Sequence, residues 1–347
     1  MTAAATGQVQ GGRVHGGPGP GGRVRWDFSS NGNAAGPCPA ALAAVQAADV
    51  CHYPDASHLA VREALAAHHG VAVARVLLAA SASEFIQRIS AVGARLAPGP
   101  VQVPLQAYGD YALAARAHGR AVLAGTAGSM HGTPPTLRWW AEPSSPLGQE
   151  APPPADPGAC PTVLDAVYAP LRLDGAGAWT DADRAAAITL HSPGKALGLL
   201  GVRAAYAVLP AATAVAWPVG AWCDALQAAA PSWPLGGQGE ALLLAWCQPA
   251  VQQWLRHSLH TLRGWRAQQR RQLAARGVLL AGSVTPFFAA RLALAPAALQ
   301  AQGLAVRDAT SFGLPGWLRL NTLPPPAQAA LLQALDSSGN TAGAHTA

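Results

Sequence analysis

The sequence predicts an α/β fold. Short apolar runs, several of them β-branched, recur along the chain, and Ala- and Leu-rich stretches of helical length separate them. The length of 347 residues is more than one hydrophobic core usually serves, which predicts a large domain followed by a smaller one. At 50% hydrophobic and 12% charged residues, the chain carries ample apolar surface for such cores and is not broadly disordered.

Taken in order, residues 1–30 are rich in Gly, Ala and Pro and predict a mobile arm. Strands are predicted at Arg75–Ala79, Val101–Pro104, Ala121–Ala124, Thr162–Asp165, Ala186–Leu190 and Val202–Leu209. Ser81 with Glu84 forms an SxxE capping box, so a helix is expected to start near Ser81–Ser83 with free amides that suit a phosphate. Pro152–Pro161 reads as a surface linker. From Gln238 to Arg276 the pattern is helical, with Trp254, Leu255, Leu259, Leu262, Trp265 and Leu273 near one face. Arg256, Arg263, Arg266, Arg270 and Arg271 decorate the rest, and a solvated face is expected there rather than a nucleic-acid surface. The divisions predicted are an arm at 1–30, a large domain at 31–237, a small one at 238–336 and a disordered tail at 337–347.

Several classes are excluded. No uninterrupted apolar run approaches the roughly 20 residues of a membrane span, and Met1–Gly22 lacks the apolar stretch of a secretory signal. Five scattered cysteines without a CxxC pair predict reduced thiols in a cytoplasmic protein. No histidines are paired with carboxylates at metal-ligand spacing, so no metal is expected. The GxGxxG string at Gly17, Gly19 and Gly22 has no preceding strand and is interrupted by Pro18 and Pro20, which argues against a dinucleotide fold. Ser192 and Lys195 make an SxxK string without the SDN and KTG companions of serine acyl-enzymes. The net charge of +6 fits a small anionic ligand, or simply a codon bias toward arginine, better than nucleic acid.

Of 23 lysines and arginines, a single one, Lys195, is lysine. In a chain that otherwise uses arginine for positive charge, a lysine is retained by chance or because arginine cannot replace it, as where Schiff-base chemistry requires a primary amine that can lose its proton. Lys195 sits on a Gly-bearing loop between two predicted strands, with Ser192 three residues before it and Arg203 eight after. A hydroxyl and a guanidinium beside an amine suit an aldehyde cofactor that carries a phosphate. Upstream, the strand TVLD ends on Asp165, a partner for a protonated pyridine nitrogen, and Tyr168 follows within reach of a ring hydroxyl. Together these point to pyridoxal phosphate.

The string SPGKALGLLGVRAAY resembles the lysine loop of fold-type I pyridoxal-phosphate enzymes, aminotransferase class I/II, and more closely the branch of histidinol-phosphate aminotransferase and threonine-phosphate decarboxylase. HGG at His15–Gly17, DFSSNGN at Asp27–Asn33 and YPD at Tyr53–Asp55 are similar to the opening of that branch, and AYGDY at Ala107–Tyr111 to its cofactor-stacking segment. VRDATSFGLPGWLRL at Val306–Leu320 is similar to its C-terminal substrate segment. The resemblance spans about His15 to Leu335 and implies a three-layer α/β/α large domain with a mostly parallel sheet and a smaller α+β C-terminal domain.

It further implies that Lys195 carries the cofactor and shuttles protons, that Asp165 keeps the pyridine nitrogen protonated, and that Tyr168 bonds the phenolic oxygen while Tyr108 stacks on the ring. Ala82, Ser83, Ser192 and Arg203 would bind the cofactor phosphate, and Tyr53 would reach it from the other subunit of a homodimer. Arg319 would clamp a substrate carboxylate; Arg307 and His15 are candidates for a substrate phosphate, and Asn33 is a further substrate candidate. The substrate implied is a small phosphorylated amino acid, and the reaction decarboxylation of L-threonine 3-O-phosphate or transamination of histidinol phosphate. Two positions depart from the pattern: Ser145 stands where an asparagine normally meets the ring oxygen, and Gly194 where Ser or Thr is common. A degenerate binding scaffold is the third reading. Replacing Lys195 with arginine keeps the charge but removes the deprotonatable amine, so Lys195→Arg should abolish turnover while circular dichroism and the melting temperature stay unchanged.

Overall fold

A computed structural model describes residues 8–10, 13–17, 24–125 and 134–343, without the side chains of 8–15 and 338–343. Seven strands form one sheet: β1 (Val76–Ala79), β2 (Val101–Val103), β3 (Val122–Ala124), β4 (Leu137–Ala141), β5 (Thr162–Asp165), β6 (Ile188–His191) and β7 (Ala205–Val208). Their spatial order is β1-β7-β6-β5-β4-β2-β3. Only β7 runs antiparallel to its neighbours. This is the mostly parallel α/β sheet the sequence predicts. β4, LRWWA, is the strand that the β-branched runs did not reveal. Its tryptophans make it a strand through central burial rather than through backbone preference, with Trp139 wholly buried.

Side-chain alternation splits the sheet between two cores. Leu77, Ala79, Ala205 and Ala207 face one layer, built on the helices α1 (Ala82–Leu96) and α2 (Gly109–Ala117). Val76, Leu78, Tyr206 and Val208 face the other, packed by the helices Pro39–Gln46, Leu59–His69 and Gly237–Trp246. The apolar stripe of α1 is Phe85, Ile86, Ile89 and Val92. Its N-cap is Ser81, whose hydroxyl accepts the Glu84 amide at 3.0 Å. The Glu84 carboxylate takes two bonds from Arg88 instead of returning to the cap, so the predicted capping box is half made.

The long helix α3 (Pro249–Ala274) joins the cores: Val251, Leu255 and Leu262 pack into the large one and Leu273 into a third. That third core lies under a four-stranded antiparallel sheet, ordered Leu279–Leu280, Phe288–Arg291, Leu318–Leu320, Arg307–Asp308, and under the helix α4 (Pro325–Gly343). The predicted boundary at 238 therefore falls too early, because Gly237–Trp246 packs on Pro39–Gln46 in the large core and the division runs along α3. The predicted arm is also too long: Trp26–Asp27 pairs with Leu304–Ala305, and Phe28 is wholly buried in the small core. At the other end, helical backbone runs on to Gly343, so 337–343 continue α4 instead of forming a tail; residues 344–347 lie outside the described residues. The arginines of α3 are not simply solvated. Arg263 donates to the Leu173 carbonyl, Arg266 to those of Ser283 and Thr285, and Arg270 to that of Ala281, which ties the helix to neighbouring loops. No helix among the described residues is long and apolar enough to cross a membrane.

Behind the sheet, His69 bonds the Tyr206 hydroxyl at 2.9 Å, and His191 stacks on the Tyr206 ring at 4.8 Å. Burial holds the His69 imidazole down at about 4 and pushes that of His191 well below the ordinary 6.5. The unfolded chain therefore binds more protons than the folded one between pH 6.5 and about 4, and stability falls as pH drops through that window. Urea midpoints should decline over this range, and less steeply in His191→Phe.

Candidate active site

The parallel strands β4, β5 and β6 end at the same edge of the sheet, the edge where open α/β sheets bind ligands. There a pocket opens, lined among others by Ala82, Ser83, Tyr108, Ser145, Asp165, Tyr168, Lys195, Arg307 and Arg319. Each arrives on a different element. Asp165 is the last residue of β5 and Tyr168 stands in the turn after it. Tyr108 caps α2, and its hydroxyl lies 3.1 Å from that of Ser83 at the start of α1. Ser81 already occupies the Glu84 amide, leaving those of Ala82 and Ser83 at the pocket, where a helix start favours an anion.

Lys195 lies in the turn after β6, with its Nζ 5.1 Å from the centre of the Tyr168 ring. The turn closes on itself: Leu197 N–H donates to Pro193 and Leu199 N–H to Gly194. Gly198 has φ +69° and packs on the backbone of Asn33 and Gly36, which leaves no room for a side chain. At Gly194 a Cβ would stand 3.0 Å from the Leu199 carbonyl oxygen, close enough that the turn would have to give by a few tenths of an ångström to admit a side chain.

Charge in the pocket is uneven. Asp165 is its only carboxylate among the described residues, against Lys195, Arg307 and Arg319. Burial raises the Asp165 carboxyl above its ordinary value; hydrogen bonds from Tyr111 and the Val167 amide, and the charge of Lys195, oppose this. Arg307 and Arg319 face each other across paired strands and are both buried. Burial, and then the neighbouring Arg319, pulls the Arg307 guanidinium down to about 10. Arg319 donates to the Ser29 carbonyl at 2.7 Å, while its buried Nε has no partner. Arg307 donates to Ser311 Oγ at 2.7 Å, and both guanidiniums lie over the Phe312 ring.

Not every predicted residue reaches the pocket. Asn33 is a loop anchor instead and does not line the pocket: its Nδ2 donates to the Ala196 carbonyl and to Ser258, and its Oδ1 accepts the Ala35 amide. Ser192 donates to the Ala204 carbonyl at 3.4 Å, and Arg203 is exposed; neither lines the pocket. Tyr53 is 78% exposed and stacks on Trp233, away from the pocket. The His15 side chain lies outside the described residues. Its neighbour Gly16 does line the pocket, so close to the Ser29 carbonyl that a Cβ would stand 2.5 Å from it, which is a physical reason for the HGG string.

The structure adds residues that spacing alone did not single out. Asn31 lines the pocket and lies 3.3 Å from the Tyr168 hydroxyl, its Oδ1 buried without a partner. Tyr111 bonds Asp165 at 2.5 Å. Both lie inside quoted motifs, DFSSNGN and AYGDY, so the signal was present but did not say which polar residue faced inward. The set fits pyridoxal phosphate: an amine, a desolvated carboxylate, an aromatic face and a helix start converge on one cavity.

The sequence model of the family Aminotransferase class I and II matches residues 158–336. A histidinol-phosphate aminotransferase of Halorubrum lacusprofundi is 30% identical over 319 residues, 85% of this chain and 84% of that one. Among solved structures, the fold is similar to a histidinol-phosphate aminotransferase from Sinorhizobium meliloti in complex with pyridoxal-5'-phosphate, with TM-score 0.73, 20% identity and 91% of each chain covered. It is also similar to the L-threonine-O-3-phosphate decarboxylase from Porphyromonas gingivalis, with TM-score 0.64, 21% identity, and 86% of this chain and 92% of that one covered. If Asn33 is the anchor described, Asn33→Ala should cost about 1–3 kcal/mol of stability in urea denaturation, because its buried partners lose their bonds.

Proposed function

The chain belongs to the aminotransferase class I and II family, and from that premise we propose that it is a pyridoxal-phosphate enzyme acting on a small phosphorylated amino acid, by decarboxylation of L-threonine 3-O-phosphate to 1-aminopropan-2-yl phosphate. The observation that carries this reading is the pair Arg307 and Arg319, two buried guanidiniums facing the same pocket as Lys195. A substrate with a carboxylate at one end and a phosphate at the other matches two cations that face one pocket.

When bound, pyridoxal phosphate supplies an electron sink for whichever bond at the substrate Cα stands perpendicular to its ring. The chain's own groups decide the rest. Lys195 Nζ would hold the cofactor aldehyde and is the amine that would move a proton at the substrate Cα. Asp165 would accept a hydrogen bond from the pyridine N–H, and Tyr168 would donate to the phenolic oxygen. Arg319 would orient the carboxylate and Arg307 the phosphate. With both ends pinned, the two guanidiniums would set how the substrate Cα is presented. The exposed Tyr53 supports a homodimer, in which it would be supplied to the neighbouring site.

The relative at 30% identity favours a second reading, transamination of histidinol phosphate. Purified enzyme given threonine phosphate without 2-oxoglutarate separates the two: release of carbon dioxide supports decarboxylation, and its absence together with 2-oxoglutarate-dependent turnover of histidinol phosphate supports the second. Under the first reading Arg307→Gln should raise KM for threonine phosphate by about tenfold or more, from loss of one charge-assisted contact.

A further inference from the structure

Asp165 can serve a cofactor ring only if it stays ionised and correctly turned, and burial works against the first condition. Its Oδ1 is held by the Val167 amide at 3.0 Å and its Oδ2 by the Tyr111 hydroxyl at 2.5 Å. Tyr111 is 1% exposed and lies flat on Trp139, with ring centres 4.5 Å apart and planes 7° from parallel. Trp139 belongs to β4, the strand beside β5, so the phenol is fixed by the same sheet that carries the carboxylate. Tyr111 also stands three residues after Tyr108 in the first turn of α2, and the two rings meet edge to face at 5.8 Å. One helical turn thus delivers both the ring that covers the cofactor face and the donor that holds the carboxylate beneath it.

We propose that Tyr111 is a positioning residue for the cofactor, holding Asp165 as an oriented carboxylate so that it can accept the pyridine N–H. The inference rests on the pyridoxal-phosphate reading above. The phenol does this by donating its proton while remaining neutral itself; burial beside the carboxylate keeps it so. Lys195 is the other charge acting on Asp165, and it is committed to the aldehyde, which leaves Tyr111 as the side-chain donor dedicated to the carboxylate.

The test is to measure binding of two compounds to the full chain by equilibrium titration: pyridoxal phosphate, and its analogue with the ring nitrogen replaced by carbon. Both keep the aldehyde and the phosphate, but only the first can bond Asp165. Tyr111→Phe retains the stack on Trp139 and removes only the hydroxyl. It should weaken pyridoxal phosphate by about ten- to a hundredfold, the usual worth of a hydrogen bond to a charged group, and leave the analogue within about twofold. Equal loss of both compounds would make Tyr111 merely structural, and no loss of either would make the bond idle; each result overturns the proposal. Failure of the unmodified chain to bind either compound overturns the reading of the pocket itself.

Discussion

The pocket depends on one loop being hydrogen-bonded in two directions at once. Asp27 folds the loop by accepting from Ser29 and Ser30, at 2.6 to 3.3 Å. On one side the Asn33 amide donates to the Lys195 carbonyl and its side chain to that of Ala196, which fixes the turn bearing the amine. On the other side Arg319 donates to Ser29 and Asn321 to Gly32, which fixes the strand bearing Arg319. Amine and arginines belong to different cores, and this short segment keeps them facing one cavity.

Each bond is of ordinary strength, but their partners are buried, so losing one leaves an unmatched polar group and not a water-exposed one. The same economy holds at Asp165, where β5, the turn after it and α2 all contribute. Burial raises the carboxyl above its ordinary value, and the bonds from Tyr111 and the Val167 amide oppose that rise.

Much of this was legible in the sequence. The alternation of apolar runs and helical stretches indicated the sheet, and the isolated Lys195, with Asp165 and Tyr168 upstream, indicated the chemistry. The strand β4 was not legible, because LRWWA has no β-branched residue and becomes a strand only between β2 and β5. Nor were the domain limits: Phe28 and Trp26 lie in a polar, glycine-rich stretch, yet join a core made by residues far along the chain.

The choice among neighbouring polar residues shows where sequence reasoning stops. Within DFSSNGN, Asn33 was named and Asn31 was not; within AYGDY, Tyr108 was named and Tyr111 was not. Sequence by itself determined which chemistry was available, since an amine and a strand-end carboxylate are properties of residue type and local spacing, and the resemblance added the two arginines. Only the tertiary structure decided which side chains turn inward and which are consumed as anchors. The physical reason is that the deciding partners, such as Ser258 for Asn33 and Asp165 for Tyr111, lie 225 and 54 residues away.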